Sequence, residues 1–139
     1  MTAKVFVDTN IWLYSLIQTA NDPRHQQAVD LLLDLTRPVI SPQVIGEICS
    51  NLIKKTRIPE QQLRGLINDW YLDCEVIAAN AAQHQLASRI RESYSLSYWD
   101  SLIVAAALDA GCTRLYSEDM QHGQIFEQCM TIVNPFTQR

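Results

Sequence analysis

Short runs of β-favouring residues alternate with longer segments of helical periodicity along this sequence, and the alternation restricts the fold more than any other feature. Strands are predicted at residues 4–7, 39–40, 75–78, 113–116 and 131–133. The intervening segments carry apolar residues at the i, i+3, i+4 and i+7 spacing of a helix with one buried face. Strands separated by helices normally pair in parallel and are covered by helices on both faces. The sequence therefore predicts an α/β fold with a parallel sheet of about five strands.

Residues that favour helix ends support these boundaries. Ser41 and Pro42 are a favourable N-cap and first helical residue. Asn80 can cap a later helix, and Gly111 is suited to end the most apolar one. Each predicted helix thus begins shortly after a predicted strand or loop.

The composition is that of an ordinary globular protein. The chain has 139 residues, of which 47% are hydrophobic and 19% are charged, so one domain spanning 1–139 is expected. No apolar stretch approaches the roughly 20 residues needed to cross a bilayer. The cysteines form no CxxC pair, and we expect them to be reduced thiols in a cytoplasmic protein with no membrane association; they are Cys49, Cys74, Cys112 and Cys129.

Four acidic residues are predicted to meet at one edge of the sheet. Asp8 directly follows the first strand, and Asp119 lies just after the fourth. Glu47 lies early in the helix that begins after the second strand, and Asp100 lies at the start of the most apolar helix. Ligands of open parallel sheets bind beyond the carboxyl ends of the strands. Each residue alone has an ordinary alternative as a cap, turn or solvated helix residue, so the argument depends on their joint placement.

Grouped carboxylates repel one another, and a divalent cation is the usual reason to gather them. The nearest basic residues in sequence are Lys4, Lys54 and Arg114, which form no matching cationic cluster. Ligands that are all oxygen favour hard ions, which indicates Mg²⁺ or Mn²⁺ rather than zinc. The formal charge of −4 argues mildly against a nucleic-acid ligand. Bound cations would reverse that local field, so net charge does not decide the matter.

Four segments, in this order, resemble the PIN domain and especially its VapC-type toxin members: FVDTNIWLY, SPQVIGEI, SYWDSLIVAAAL and LYSEDMQHG. The resemblance covers nearly the whole chain. It implies a three-layer α/β/α sandwich that cleaves RNA with Mg²⁺ or Mn²⁺. VapC-type members are toxins that a small antitoxin holds inactive, and they commonly form homodimers.

The resemblance also assigns roles to residues. It implies that Asp8, Glu47, Asp100 and Asp119 are the catalytic, metal-binding carboxylates. Asn10 and Ser117 resemble the polar residues that accompany such ligands. We expect the first three carboxylates to hold one ion, and Asp119 to complete that site or help a second. Glu118 is an alternative to Asp119.

The sequence is compatible with two other functions of the same fold and argues against other kinds of α/β protein. A solitary RNA-processing nuclease or a catalytically silent binding module of the same fold would have a similar sequence. A haloacid-dehalogenase-type phosphatase would need aspartate where Asn10 stands. A Rossmann or P-loop protein would need a glycine-rich turn after the first strand, and the chain has only four glycines.

Candidate RNA contacts are less specific. Basic residues follow the Glu47 helix, although cations at a helix C-terminus are also ordinary; they are Lys54, Lys55 and Arg57. Aromatic residues near the motifs could stack on bases or form core and subunit contacts; they are Trp12, Tyr14, Tyr98 and Trp99. The histidines are expected to be surface residues, with His122 closest in sequence to Asp119; they are His25, His84 and His122.

Overall fold

The computed structural model describes residues 3–137, which form six helices and six strands. The strands are β1 (Val5–Val7), β2 (Val39–Ile40), β3 (Glu75–Val76), β4 (Arg114–Tyr116), β5 (Ile125–Phe126) and β6 (Met130–Val133). The helices are α1 (Thr9–Leu16), α2 (Arg24–Asp34), α3 (Pro42–Thr56), α4 (Glu60–Asp73), α5 (Ala81–Tyr94) and α6 (Tyr98–Asp109). All five predicted strands are present.

The strands form one sheet in the order β3-β2-β1-β4-β6-β5, and all but β5 run parallel. The chain steps from β1 to β2 to β3 in one direction and then returns to β4 on the other side of β1. Since such crossovers are right-handed, α1 to α4 cover one face and α5 and α6 cover the other. In agreement, α1 packs on α2 and α3, and α5 packs on α6. This confirms the α/β/α sandwich.

The sixth strand, β5, was not predicted, and it is antiparallel to β6. The turn between them has positive φ angles at Glu127 and Gln128, 51° and 59°. The Cys129 N–H donates to the Phe126 carbonyl at 3.0 Å, which closes a turn of the type I′ kind. Such turns usually carry Asn-Gly or Asp-Gly. Because Glu-Gln stands here instead, no residue pair in this segment predicted a hairpin.

The helix caps and the core follow the sequence pattern. Ser41 Oγ accepts a hydrogen bond from the Val44 N–H at 3.3 Å, and Gly111 takes a φ of 79° just past α6. One cluster of buried side chains spans both faces of the sheet. The four cysteines form no disulfide. Within residues 3–137, no helix has the length and hydropathy needed to span a bilayer.

The order in which strands are added to the sheet reverses after β3, and this places the parallel strands β1 and β4 side by side at its centre. Connections leave these two strands in opposite directions, which opens a crevice at their carboxyl ends. Open α/β sheets bind ligands at this kind of switch point. The fold thus fixes where a site is to be sought.

Candidate active site

Asp8 and Ser117 directly follow β1 and β4, whose last residues, Val7 and Tyr116, are paired. The Ser117 hydroxyl donates a hydrogen bond of 2.8 Å to Asp8 Oδ2. The Thr9 N–H donates one of 2.7 Å to Asp8 Oδ1. Asp8 is only 5% exposed. Each carboxylate oxygen therefore has one fixed donor and keeps acceptor capacity for a ligand.

Glu47 reaches the same place from the second turn of α3. The Thr9 hydroxyl donates to Glu47 Oε1 at 2.5 Å, and Gln43 Nε2 donates to Oε2 at 3.2 Å. The Thr9 N–H binds Asp8 and the Thr9 hydroxyl binds Glu47, so this one residue connects the two carboxylates. Glu47 is thereby held against the end of β1.

Asp100 comes from the helical layer on the opposite face. It lies in the first turn of α6, where its N–H donates to Ser97 Oγ at 3.1 Å. Its side chain is half-buried. Since α3 and α6 cover different faces, Glu47 and Asp100 approach the crevice from its two sides.

Asp119 and Glu118 are adjacent in sequence but have different partners. Asn10 Nδ2 donates to Asp119 Oδ2 at 2.7 Å. Glu118 accepts from the Tyr14 hydroxyl at 2.6 Å and from Arg24 Nη1 at 2.9 Å. Burial and the Glu118 contact raise the pKa of Tyr14 to about 12, so this hydroxyl keeps its proton. Glu118 therefore forms a salt bridge with Arg24, whereas Asp119 is held by an uncharged amide.

The carboxylates of this group, which we call the acidic cluster (Asp8, Glu47, Asp100 and Asp119), influence one another electrostatically. Burial, aided by the charges of Asp100 and Glu47, raises the pKa of Asp8 to about 6, against the hydrogen bonds that it accepts from Ser117 and Thr9. Burial also raises the pKa of Asp100, an interaction of its carboxylate with the Ser97 side chain opposes this, and the charges of Asp119 and Glu47 add to the increase. The fold thus brings together the four residues that the sequence predicted.

No lysine or arginine in the described part of the chain forms a salt bridge with these four carboxylates. Among residues 3–137, the salt bridges join Lys4 to Glu75 and Arg24 to Asp22 and Glu118. None of them involves the acidic cluster. A buried carboxylate near other carboxylates is costly unless it is paired or binds a cation.

The donor chemistry of the acidic cluster fits a hard divalent cation, because every ligand atom is an oxygen. Within the described part of the chain, however, no three acidic, histidine or cysteine side chains converge tightly enough to form a ready-made ion site. Glu47 is engaged by Thr9 and Gln43, and Asp119 by Asn10. Side-chain rotation would have to bring these groups onto an ion. The metal-binding role of the four residues stays a prediction.

The histidines each bind a backbone group through Nδ1. His25 donates to the Tyr14 carbonyl at 2.8 Å and His84 to the Asn80 carbonyl at 2.9 Å. His122 accepts from the Asn134 N–H at 3.0 Å. His84 is exposed, whereas His25 and His122 are partly buried, and none of the three lies in the core.

The predicted RNA-contact residues separate into two groups. Trp12 is buried, where its indole N–H donates to the Val7 carbonyl and its ring packs against Trp70, so it is a core residue. Tyr98 and Trp99, in contrast, are exposed beside Asp100. The basic residues near the end of α3 are also exposed, and they lie seven or more residues beyond Glu47; they are Lys54, Lys55 and Arg57.

A sequence model of the PIN domain matches residues 5–125, which include the whole acidic cluster. The chain belongs to the PIN domain family. A comparison with curated proteins found no significant match. The motifs and the site geometry of this PIN domain thus agree with an independent assignment of family.

Solved structures share the fold of this PIN domain. VapC20 of Mycobacterium tuberculosis, described as a sarcin–ricin-loop-cleaving toxin, is similar with a TM-score of 0.67 and 21% identity, over 84% of this chain and 90% of that one. A toxin–antitoxin complex from Klebsiella pneumoniae gives a TM-score of 0.73 and 16% identity, over 96% and 98%. FitAcB from Neisseria gonorrhoeae gives 0.72 and 16%, over 95% and 98%.

Sequence reasoning did not assign two polar residues that contact the acidic cluster of this PIN domain. Thr9 binds Glu47 through its hydroxyl, and Gln43 binds it from one turn earlier in α3. The spacing of Gln43 and Glu47, four residues apart in a helix, was a usable signal. The Thr9 contact was not predictable, because it joins residues that are 38 positions apart.

Proposed function

We propose that this PIN domain is a ribonuclease that depends on Mg²⁺ or Mn²⁺, and that it is the toxin of a toxin–antitoxin pair. The observation that carries the proposal is the acidic cluster itself. Four carboxylates meet at the switch point of the sheet, and no basic side chain in residues 3–137 pairs with them. Such an arrangement is suited to a divalent cation and, through it, to a phosphodiester.

The cation, when bound, would neutralise charge on the phosphate and supply an activated water. Asp8 would be the central ligand, in an orientation set by Ser117 and the Thr9 N–H. Glu47 and Asp100 would complete the coordination from the two helical layers. Fixed donors around a ligand keep its orientation and basicity constant.

Asp119 would complete this coordination or contribute to a second site, in an orientation set by Asn10. It is exposed, whereas Asp8 is buried, so it lies on the solvent side of the cluster. An RNA phosphate approaching from solvent would therefore meet Asp119 before Asp8.

The toxin role is supported by the fold shared with VapC20, with the Klebsiella complex and with FitAcB. We infer a small antitoxin as the protein partner and a homodimer as the active assembly. We infer a cytoplasmic location, in keeping with four cysteines that form no disulfide.

The test of the nuclease is cleavage of total RNA by the wild type and by Asp8→Asn, with and without Mg²⁺ or Mn²⁺. The amide keeps the shape of the carboxylate and removes its charge. Asp34→Asn is the matched control, because Asp34 is exposed and lies at the opposite, amino-terminal edge of the sheet. We expect metal-dependent cutting by the wild type and the control, and none by Asp8→Asn. If the folded, antitoxin-free wild type cuts no RNA with either ion, the protein is a binding module.

The toxin role needs a separate test. Expression of the wild type should arrest growth, and Asp8→Asn should not. Co-expression of a small protein encoded next to this chain should restore growth. A nuclease that neither arrests growth nor binds such a protein would instead be a solitary RNA-processing enzyme.

A further inference from the structure

A small cavity of about 150 Å³ lies beside the acidic cluster, beyond the carboxyl ends of β2 and β3. Its walls are mainly apolar and include Pro42, Ile77, Leu102 and Ala106. The first of these residues opens α3, and the last two belong to α6, so the same two helices that supply Glu47 and Asp100 enclose the cavity. A group bound in the cavity would therefore lie beside the acidic cluster.

Trp99 forms the exposed rim of this cavity. It is 62% exposed, although it precedes a residue of the acidic cluster, Asp100. Its ring meets the Tyr98 ring edge to face, with centroids 5.3 Å apart. The other tryptophans, Trp12 and Trp70, are buried. Exposed aromatic faces in single-strand-binding proteins are surfaces on which bases stack.

Gln43 joins the cavity to the acidic cluster. Its Nε2 donates to Glu47 Oε2 at 3.2 Å and to the Trp99 carbonyl at 3.3 Å. One amide group thus contacts both a carboxylate of the cluster and the backbone of the rim tryptophan. One side chain therefore links the cavity directly to the acidic cluster.

The cavity also has polar atoms that can bind the edge of a base. His84 uses Nδ1 for the Asn80 carbonyl, so Nε2 has no protein partner within residues 3–137. The Gln43 side-chain oxygen likewise accepts no hydrogen bond from the described residues. Gln83, in contrast, is committed to the Ala78 carbonyl and to Asp109. An apolar slot with few polar atoms is the usual form of a site for a flat heterocycle.

We propose that this cavity binds one unpaired base of the RNA, stacked on Trp99, and thereby selects where the strand is cut. The inference rests on the proposed ribonuclease function, because the acidic cluster must hold the phosphate adjacent to that base. Proteins commonly read single-stranded RNA by stacking splayed bases on aromatic side chains. Trp99 then binds and positions the substrate and takes no part in breaking the phosphodiester bond.

The first experiment compares cleavage of a randomised short oligoribonucleotide by the wild type, Trp99→Ala and Trp99→Phe. Loss of one stacked base should raise KM by about tenfold, with little change in kcat. The wild type should prefer particular bases at one position beside the cut. Trp99→Ala should lose this preference, and Trp99→Phe should keep it. Tyr71→Ala is the matched control, since Tyr71 is an exposed aromatic residue on α4 outside the cavity.

Unchanged KM and unchanged base preference in Trp99→Ala would overturn the proposal. It would also be overturned if Trp99→Ala dissociated an assembly of the wild type in sedimentation, because the residue would then be a subunit contact. Equal effects of Tyr71→Ala and Trp99→Ala would overturn it as well.

The second experiment separates this proposal from the nuclease proposal. Oligoribonucleotides are titrated into Asp8→Asn and into EDTA-treated wild type while tryptophan fluorescence is followed. Quenching is expected, and it should disappear with Trp99→Phe because the remaining tryptophans are buried. Quenching without any cleavage by the metal-loaded wild type would support the cavity and refute the nuclease. Cleavage without quenching would do the reverse.

Discussion

Replacing Asp8 with asparagine should stabilise the metal-free protein. Burial, opposed in part by hydrogen bonds, raises the pKa of Asp8 from 3.8 to about 6. Each pKa unit corresponds to about 1.36 kcal/mol, so the ionised carboxylate lowers the free energy of unfolding by up to about 3 kcal/mol. Asparagine removes this cost. Its amide can still accept from the Thr9 N–H and can donate to Ser117 Oγ.

The stability difference between Asp8→Asn and the wild type should depend on pH. Because the folded protein holds the Asp8 proton more tightly than the unfolded chain, this group favours folding most below about pH 4. That contribution is lost as the pH rises from about 4 to about 6. Asparagine has no such loss. The variant and the wild type should therefore differ most at about pH 8 and converge near pH 4.

The assay is thermal unfolding in EDTA, followed by circular dichroism at both pH values. For a chain of this length, about 3 kcal/mol corresponds to roughly 10 °C in Tm. Asp34→Asn, at an exposed carboxylate, should stay within about 0.5 kcal/mol of the wild type. Added Mg²⁺ should stabilise the wild type but not Asp8→Asn. The reasoning is refuted if Asp8→Asn is no more stable than the wild type at the higher pH, or if the difference is the same at both.

Three further predictions follow from the described contacts. The apparent affinity for Mg²⁺, measured through cleavage rates, should rise as the pH increases through about 6, because only the ionised Asp8 binds a cation; a flat profile would contradict this. Glu118→Gln should cut RNA within a few-fold of the wild-type rate, because Glu118 is engaged by Arg24 in a salt bridge. Asp119→Asn should lose roughly tenfold or more in rate, and equal losses in the two variants would show that the two roles are not separate. Leu115→Ala should lower the free energy of unfolding, measured in urea, by about 2–5 kcal/mol, because Leu115 is fully buried in the central strand β4. A loss below about 1 kcal/mol would mean that neighbouring side chains fill the space left by the leucine.

The residues that follow strands were the most predictable part of the site. Asp8 and Ser117 are near in space because β1 and β4 are neighbours, and the sequence indicated both strand ends. Glu47 and Asp100 were found from their positions at the beginnings of apolar helices. Local patterns suffice for such residues, since strand ends and helix starts in parallel sheets meet at one edge.

Features that depend on distant side chains were not predictable. Glu118 and Asp119 are equivalent in sequence, and they are distinguished by distant partners, such as Arg24, which lies 94 positions from Glu118. The hairpin of β5 and β6 was missed because Glu127 and Gln128 adopt positive φ without the usual glycine or asparagine. Both depend on tertiary packing overriding local preference.

The most direct test of the central claim is Mn²⁺ binding, measured by electron paramagnetic resonance without RNA. Wild-type protein and Asp34→Asn should bind Mn²⁺ with equal affinity. Amide substitution at any member of the acidic cluster should weaken binding roughly tenfold or more, since the loss of a ligand should cost at least as much as the loss of a residue that only orients one. If all four variants bound Mn²⁺ as tightly as the wild type, the acidic cluster would not be the metal site and the proposed mechanism would be wrong.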